Sequence, residues 1–119
     1  MNSWNSSNTS INFYKCSNTN NKITVSPFSF NEVGKLKPII VSGTELVEFE
    51  IQLNSTTITN NAVNLNNYIQ SVFVHELGHA IWLEGNPTTT EDSIMKYSRN
   101  RNTMIAPSSF DEASVNMKY

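Results

Sequence analysis

The chain has little cysteine, little charge and no long apolar run, and each shortage excludes a class of protein. Cys16 is the only cysteine among 119 residues, which excludes an intramolecular disulfide and a cysteine-based zinc cluster. Charged residues make up only 15% of the chain and its net charge is -2, so the concentrated basic patch that phosphate binding needs is missing. No apolar run approaches the roughly 20 residues of a transmembrane helix, and no signal-peptide core follows Met1. We therefore expect neither a nucleic-acid partner nor a membrane span.

The length of 119 residues predicts a single small domain, residues 1–119, with one hydrophobic core. Alternation of apolar and polar residues is clearest over 45–54, where Val47, Phe49, Ile51 and Leu53 predict a half-buried strand. Shorter strands are predicted at 10–16, 23–25 and 38–42, with a loop at 27–37. Cys16 ends the first of these and is expected to be a small, partly buried residue.

One helix is predicted over 67–84, because apolar residues recur there at a helical spacing. Asn66 or Asn67 is a suitable N-cap, and Gly85 is placed to end the helix. Polar residues 54–66 are expected to connect the last strand to this helix, and 86–107 to be irregular. A final helix is predicted from Ser109, where Ser109 to Glu112 matches a capping box. The predicted fold class is therefore α+β, with the sheet packed on the central helix.

The central helix carries the segment His75-Glu76-Leu77-Gly78-His79, which contains both histidines of the chain. Histidines at i and i+4 lie on one face of a helix, so His75 and His79 can ligate one Zn²⁺ ion. Glu76 then lies beside the metal, where its carboxylate can serve as a general base. The alternative is a chance match on an ordinary helix. The amphipathic helical setting favours the zinc site.

With this helix and the segment 93–98 (Ser-Ile-Met-Lys-Tyr-Ser) together, the chain resembles the metzincin metalloproteases. It looks most like their small bacterial matrixin-like members, and the resemblance is strongest over 68–98. It implies a twisted mixed sheet on the zinc-motif helix, then a tight turn with Met95 beneath the zinc site, then a C-terminal helix. Tyr97 stands where some branches of the clan place a tyrosine near the metal, which suggests a hydrogen-bond donor to the reaction intermediate. A tyrosine that only packs on the loop is the open alternative.

Two positions depart from the family pattern. The extended motif has glycine where this chain has Trp82, and a third zinc ligand where it has Gly85. Tryptophan disfavours the left-handed conformation of that glycine, and Gly85 has no side chain with which to bind metal. Glu84, Glu91 or Asp92 could replace the missing ligand, or no third ligand exists. The family also begins with a strand and a long helix, so we expect this chain to be truncated at its N-terminus, with one face of the sheet exposed.

The sequence therefore predicts a zinc-dependent metalloendopeptidase with Zn²⁺ as cofactor, His75 and His79 as ligands, and Glu76 and Tyr97 as catalytic residues. Its partners would be protein or peptide substrates, and the chain is expected to be a monomer. Extracellular location is implied by the resemblance alone. A peptide-binding module of the same fold, inactive for want of the third ligand, is the alternative.

Overall fold

A three-stranded mixed sheet packs one face against a long helix in the computed structural model, which describes residues 1–119. The strands are β1 (Lys22–Ser26), β2 (Gly34–Ser42) and β3 (Glu45–Asn54), in the order β1-β3-β2. β1 is parallel to β3, whereas β2 and β3 form an antiparallel hairpin. The hairpin turn includes Gly43, whose φ of 59° suits glycine. Both outer strands of the sheet therefore have a free edge.

The helices are α1 (Asn2–Asn5), α2 (Ser55–Asn61), α3 (Leu65–Ala80) and α4 (Ser109–Asn116). Together with the sheet they confirm the predicted α+β class. α3 is the central helix and contacts both β2 and β3. None of the helices has the length and apolar character required to cross a membrane.

The two faces of the sheet differ because side chains alternate along β3. Ile51 and Leu53 are buried, while Glu50 and Gln52 are partly exposed on the other face. Strand β3 therefore has the predicted bounds, and the predicted half-buried character holds at Ile51 and Leu53 but not at Val47, which is 50% exposed. At the β1 edge, Val25 is 63% exposed although it is paired with Leu53, so the helices do not cover that part of the sheet.

The core lies between the sheet, α3 and the segment that follows α3. Trp4 of α1 is fully buried, and its indole N–H donates to the Val74 carbonyl at 2.9 Å, so the N-terminus is fixed to α3. The buried apolar residues of the core are Trp4, Ile51, Leu53, Ile58, Tyr68, Val72, Val74, Leu77, Ile81, Leu83, Ile94, Met95 and Val115.

Two predictions about strands are wrong. Residues 10–16 form no strand, because the backbone of Phe13 pairs with the side chain of Asn5 and not with a neighbouring strand. Cys16 is consequently exposed. The predicted loop 27–37 is shorter than expected, since β2 begins at Gly34 and extends through Pro38 to Ser42.

The helix bounds also differ from the predictions. Asn64 caps α3 by accepting from the Asn67 N–H, and the helix ends at Ala80, before the predicted end at 83–84. The connection 54–66 contains α2, which Asn54 caps. α4 begins where predicted, but its capping box is one residue earlier, between Ser108 and Asp111.

Candidate functional site

An open cleft of about 970 Å³ separates the β2 edge from the end of α3 and the segment after it. His75, Glu76 and His79 all line this cleft, so the fold brings the whole sequence motif to one surface. The other lining residues are Asn31, Glu32, Val33, Gly34, Lys35, Leu36, Asn61, Tyr68, Trp82, Leu83, Glu84, Gly85, Tyr97, Arg99 and Arg101.

Both histidine rings are held by backbone carbonyl groups. His75 Nδ1 lies 2.9 Å from the Ile94 oxygen, and His79 Nδ1 lies 3.1 Å from the Leu83 oxygen. A carbonyl oxygen can only accept, so each Nδ1 carries the proton and each neutral ring leaves Nε2 with a free lone pair. The ring centroids are 4.8 Å apart and the rings are nearly perpendicular. This is the tautomer that a histidine bound to a metal through Nε2 requires.

Burial keeps the two imidazoles neutral. It lowers the pKa of His75 to about 3, and the positive charge of Arg99 acts in the same direction. The pKa of His79 is also lowered, again mainly by burial. Metal ions compete with protons for the same lone pair, so rings that resist protonation are available as ligands at neutral pH.

Glu76 lies between α3 and β2 and is only 4% exposed. Burial raises its pKa to about 7, opposed by the Leu36 backbone and by the charges of Arg99 and Arg101. Gly34 makes this close packing possible, because a Cβ atom there would lie 2.5 Å from Val72 Cγ1 and 3.1 Å from Glu76 Oε1. A carboxylate with a pKa near neutrality can both accept and release a proton at physiological pH.

The segment after the cleft forms a tight turn beneath α3. Lys96 N–H donates to the Ser93 carbonyl at 3.2 Å, which places Ile94 and Met95 at the turn. Met95 is buried against Gly78, where a Cβ atom would lie 2.5 Å from the Met95 sulfur. The glycine of the motif therefore makes room for the methionine that supports the helix.

Asp111 of α4 fixes this turn to the rest of the protein. Its buried carboxylate accepts from the Ile94 N–H at 2.8 Å and from the Ser93 hydroxyl at 2.6 Å. The Ile94 carbonyl in turn accepts from His75. A chain of hydrogen bonds therefore connects the N-terminus of α4 to the first histidine.

Trp82 adopts the left-handed conformation that its side chain was expected to disfavour, with a φ of 60°. The helix end forms despite the conformational cost, on the order of 1–2 kcal/mol. Trp82 N–H donates to the His79 carbonyl at 3.0 Å, and Leu83 N–H donates to the Gly78 carbonyl at 3.0 Å. These two bonds satisfy carbonyl groups at the end of α3 and turn the chain back toward the histidines.

Gly85 lies directly beside the second histidine. A Cβ atom at this position would be 3.1 Å from His79 Cε1 and 2.7 Å from the Tyr97 hydroxyl oxygen. The Tyr97 ring centroid is 6.1 Å from that of His75, and the side chain is 57% exposed. The tyrosine hydroxyl therefore occupies the space in front of the glycine, on the side of His79, and the tyrosine ring lies near that of His75.

The three acidic candidates for a third ligand lie in different places. Glu84 lines the cleft and is exposed, whereas Glu91 and Asp92 are exposed on the later loop and do not line it. No group of three or more His, Cys, Asp or Glu side chains is arranged to hold a metal ion. Of the predicted site residues, the fold brings together His75, Glu76, His79 and Tyr97.

Sequence reasoning did not include Arg99 and Arg101 in the site. Both line the cleft, and Arg99 is only 9% exposed because its guanidinium bonds to Ser71 of α3 and to the Lys96 carbonyl. The two arginines are distant from the motif along the chain, so no local sequence pattern indicated that they lie beside it. The one available signal was composition, since these are the only arginines in the chain.

Comparison with known proteins gave no match: no family model, curated protein or solved structure matches this chain.

Proposed function

We propose that this protein is a zinc-dependent metalloendopeptidase of the metzincin type. The observation that carries the proposal is the histidine pair, whose Nδ1 atoms are bonded to the Ile94 and Leu83 carbonyls so that both Nε2 atoms are free. A buried carboxylate, Glu76, accompanies them at the floor of an open cleft. Ligands and general base are the two components that metal-assisted hydrolysis requires.

The residues present supply two imidazole ligands for a zinc ion. His75 and His79 would hold it, and the Tyr97 hydroxyl and the Glu84 carboxylate are the cleft groups available to complete the ligand set. When bound, zinc supplies a Lewis acid that polarises a carbonyl group and lowers the pKa of water. The carbonyl groups of Ile94 and Leu83 hold the imidazole rings in place for this role.

Glu76 would move the proton in the reaction. Its carboxylate accepts a proton from the attacking water and delivers it to the nitrogen of the leaving amine. Burial raises the pKa of this carboxyl to about 7 in the metal-free protein, so the carboxylate is a stronger base than an exposed glutamate. Tyr97, whose hydroxyl lies next to the histidines, would donate a hydrogen bond to the developing oxyanion.

The β2 edge would hold the substrate. Gly34, Lys35 and Leu36 form the cleft side of this strand, and an extended peptide could add main-chain hydrogen bonds along it. These cleft residues lie N-terminal to 38–42, the part of β2 that the sequence predicted as a strand.

The metzincin assignment is supported by the order of the local features. A zinc-motif helix ends in a left-handed turn at Trp82, and a tight turn at Met95 then packs under the helix. Trp82 stands at the position of the family glycine and adopts the left-handed backbone conformation of that glycine. The main difference is Gly85 in the third-ligand position.

Zinc binding tests the metal part of the proposal. We would measure stoichiometry and dissociation constant by competition with a chromophoric chelator. We expect one zinc per chain, lost in His75→Ala and His79→Ala and retained in Cys16→Ser, which removes the exposed thiol. Zinc binding that is unchanged in both histidine variants would refute the proposed site.

Peptide cleavage tests the catalytic part. We would incubate the zinc-loaded protein with an unfolded protein and identify the products by mass spectrometry. Chelator-sensitive cutting that disappears in Glu76→Gln supports the enzyme. Equal cutting by Glu76→Gln would indicate a contaminating protease.

A peptide-binding module is the second candidate, and the observation that favours it is Gly85. A glycine beside His79 supplies no third ligand from the position that the family uses. In that case the cleft binds a peptide without cutting it. Tight peptide binding by a folded chain that neither retains zinc nor cleaves would favour this alternative.

A further inference from the structure

The cleft collects the only two arginines of the chain. Arg99 and Arg101 both line it, together with Glu76 and the histidines, although the protein as a whole has a net charge of -2. Both guanidinium groups are close enough to Glu76 and His75 to affect those side chains electrostatically. Positive charge is therefore concentrated next to the reactive groups of an otherwise acidic molecule.

Arg99 is held rigidly and still has unused donors. Its Nε and Nη2 donate to the hydroxyl and the carbonyl of Ser71, at 3.1 and 3.3 Å, and Nη1 donates to the Lys96 carbonyl at 2.8 Å. All three acceptors are uncharged oxygens, so the positive charge is not neutralised by a bonded carboxylate. An arginine has more N–H groups than these three bonds use. Rigid arginines of this kind lose little conformational freedom when they bind an anion.

Arg101 is the more unusual of the two. Its Nε atom is buried and has no hydrogen-bond partner in the protein. Buried polar groups of this kind nearly always have a partner, and an unpaired one calls for an explanation. Arg101 also lines the cleft and its side chain is partly exposed, so its terminal N–H groups are the donors available to a ligand there.

We propose that Arg99 and Arg101 form a carboxylate-binding subsite, so that the cleft selects peptides with a carboxylate group near the bond to be cut. This inference rests on the proposed function, because it takes the cleft as the peptide-binding site. Arginine matches a carboxylate geometrically, since its planar N–H groups can bind both oxygens at once. The carboxylate could belong to an Asp or Glu side chain or to the C-terminus of the peptide.

The other charged groups of the cleft do not replace this subsite. Glu32 and Glu84 line the cleft but are exposed, and Lys35 of β2 lies over the ring of Phe30 at 5.0 Å. The exposed glutamates repel an acidic ligand only through screened solvent. A carboxylate is therefore expected to bind between the two arginines, where its hydrogen bonds are sheltered.

The test measures peptide affinity in the full chain, without relying on turnover. We would use short fluorescent peptides in which each position in turn is Glu or its neutral isostere Gln, each made with a free or an amidated C-terminus. Binding is followed by fluorescence anisotropy with chelator present, so that a carboxylate cannot bind through zinc. We expect one carboxylate position to strengthen binding ~10-fold or more. A side-chain preference and a C-terminal preference are distinguished by which peptide of the set shows it.

Variants then assign the effect to the arginines. Arg101→Gln should abolish the preference for the carboxylate peptide, while Lys15→Gln, which removes an exposed charge outside the cleft, should retain it. Arg101 donates no side-chain hydrogen bond in the structure, so this variant is expected to fold. Equal affinity for Glu and Gln peptides, together with equal affinity for free and amidated C-termini, would overturn the inference in the wild-type chain without any variant. A preference that persists in Arg101→Gln would overturn the role of that residue.

The outcomes also separate this inference from the proposed function. Zinc-dependent cutting of acidic and neutral peptides at equal rates would refute the subsite and leave the protease. Carboxylate-dependent binding without any cutting would support the subsite and refute the protease.

Discussion

Glu76 is a buried acid with no ion-pair partner bonded to it, and its burial makes the stability of the metal-free protein depend on pH. Its pKa is about 7 in the folded chain against 4.5 as the ordinary value. The folded state therefore holds this proton over a range in which the unfolded state has released it. By linkage, the contribution of Glu76 to stability is lost as the pH rises from about 4.5 to about 7.

We predict that Glu76→Gln stabilises the metal-free protein above pH 7, by on the order of 1–3 kcal/mol, and has little effect near pH 4.5. The measurement is urea unfolding of both proteins across this range. His75 contributes the opposite slope between pH 3 and 6.5, because its lowered pKa makes the unfolded state the better proton acceptor. That slope is common to both proteins and cancels in their difference. A difference in unfolding free energy between the two proteins that is constant with pH would contradict the burial of a titrating Glu76. Glu45→Gln, at the exposed end of β3, is the control variant.

Gly85 allows a second prediction about a single residue. Gly85→His should tighten zinc binding at least ~10-fold, because a side chain from this position begins 3.1 Å from His79 Cε1 and can supply a third imidazole. The Tyr97 hydroxyl, 2.7 Å from the new Cβ, must move, and it lies at the end of an exposed side chain. Chelator competition gives the affinity, and Gly85→Ala controls for the Cβ atom alone. An unchanged or weaker affinity in Gly85→His would show that this position does not face the metal.

Among the structural elements, α4 is distant from the cleft but connected to it through Asp111. The carboxylate at its N-terminus accepts from the Ile94 N–H, and the carbonyl of the same residue accepts from His75. The turn is also held by α3, through the packing of Met95 on Gly78, and by the Asn86 N–H, which donates to the Met95 carbonyl at 2.8 Å. The Asp111 carboxylate is the contact that fixes the Ile94 backbone from the other side.

We predict that Asp111→Asn destabilises the protein by about 2–3 kcal/mol, because an amide cannot accept all the hydrogen bonds that the buried carboxylate accepts. It should also weaken zinc binding ~10-fold, since His75 loses the fixed position of its carbonyl partner. Urea unfolding and chelator competition measure the two effects. Glu112→Gln, on the same helix and bonded to one exposed backbone N–H, should change neither. Loss of stability with unchanged zinc affinity would mean that the hydrogen-bond chain does not affect the proposed zinc site.

The elements differ in how far the sequence predicts them, and the difference follows from where their stabilising contacts are. Strand β3 has a strict alternation that is fixed by its own residues, and its bounds 45–54 were predicted. Helix α2 was missed because its Ser, Thr and Asn residues are weak helix formers. It is held instead by the Asn54 cap and by burial of Ile58, which depend on the surrounding fold.

The candidate site also has features that local sequence predicts and features that depend on the surrounding fold. The spacing of His75, Glu76 and His79 depends only on helical geometry, so the sequence was sufficient to predict that they share a surface. The roles of the Ile94 and Leu83 carbonyls depend on how the chain returns beneath α3, which no local pattern encodes. The left-handed Trp82 is a case where tertiary contacts prevail over the preference of a single residue.

At the scale of the whole molecule, the cleft lies between two parts of the chain that are distant in sequence. The β2 edge forms one wall, and the segment from Trp82 to Arg101 forms the other, with α3 as the floor. If zinc is bound by the α3 histidines and by Tyr97 or Glu84, it connects the helix to the second wall. Binding to the folded state alone then stabilises the entire domain by linkage.

We predict that zinc at 100 times its dissociation constant raises the stability by about 2.7 kcal/mol, which corresponds to a Tm increase on the order of 10 °C for a domain of this size. Magnesium, which prefers oxygen ligands, should leave the Tm unchanged. Scanning calorimetry of the full chain measures both. The double variant His75→Ala, His79→Ala should show no zinc shift, because the remaining cleft groups cannot hold the ion without the imidazoles. A zinc-induced Tm increase that persists in this variant would place the metal elsewhere on the molecule and would remove the basis for assigning chemistry to the cleft.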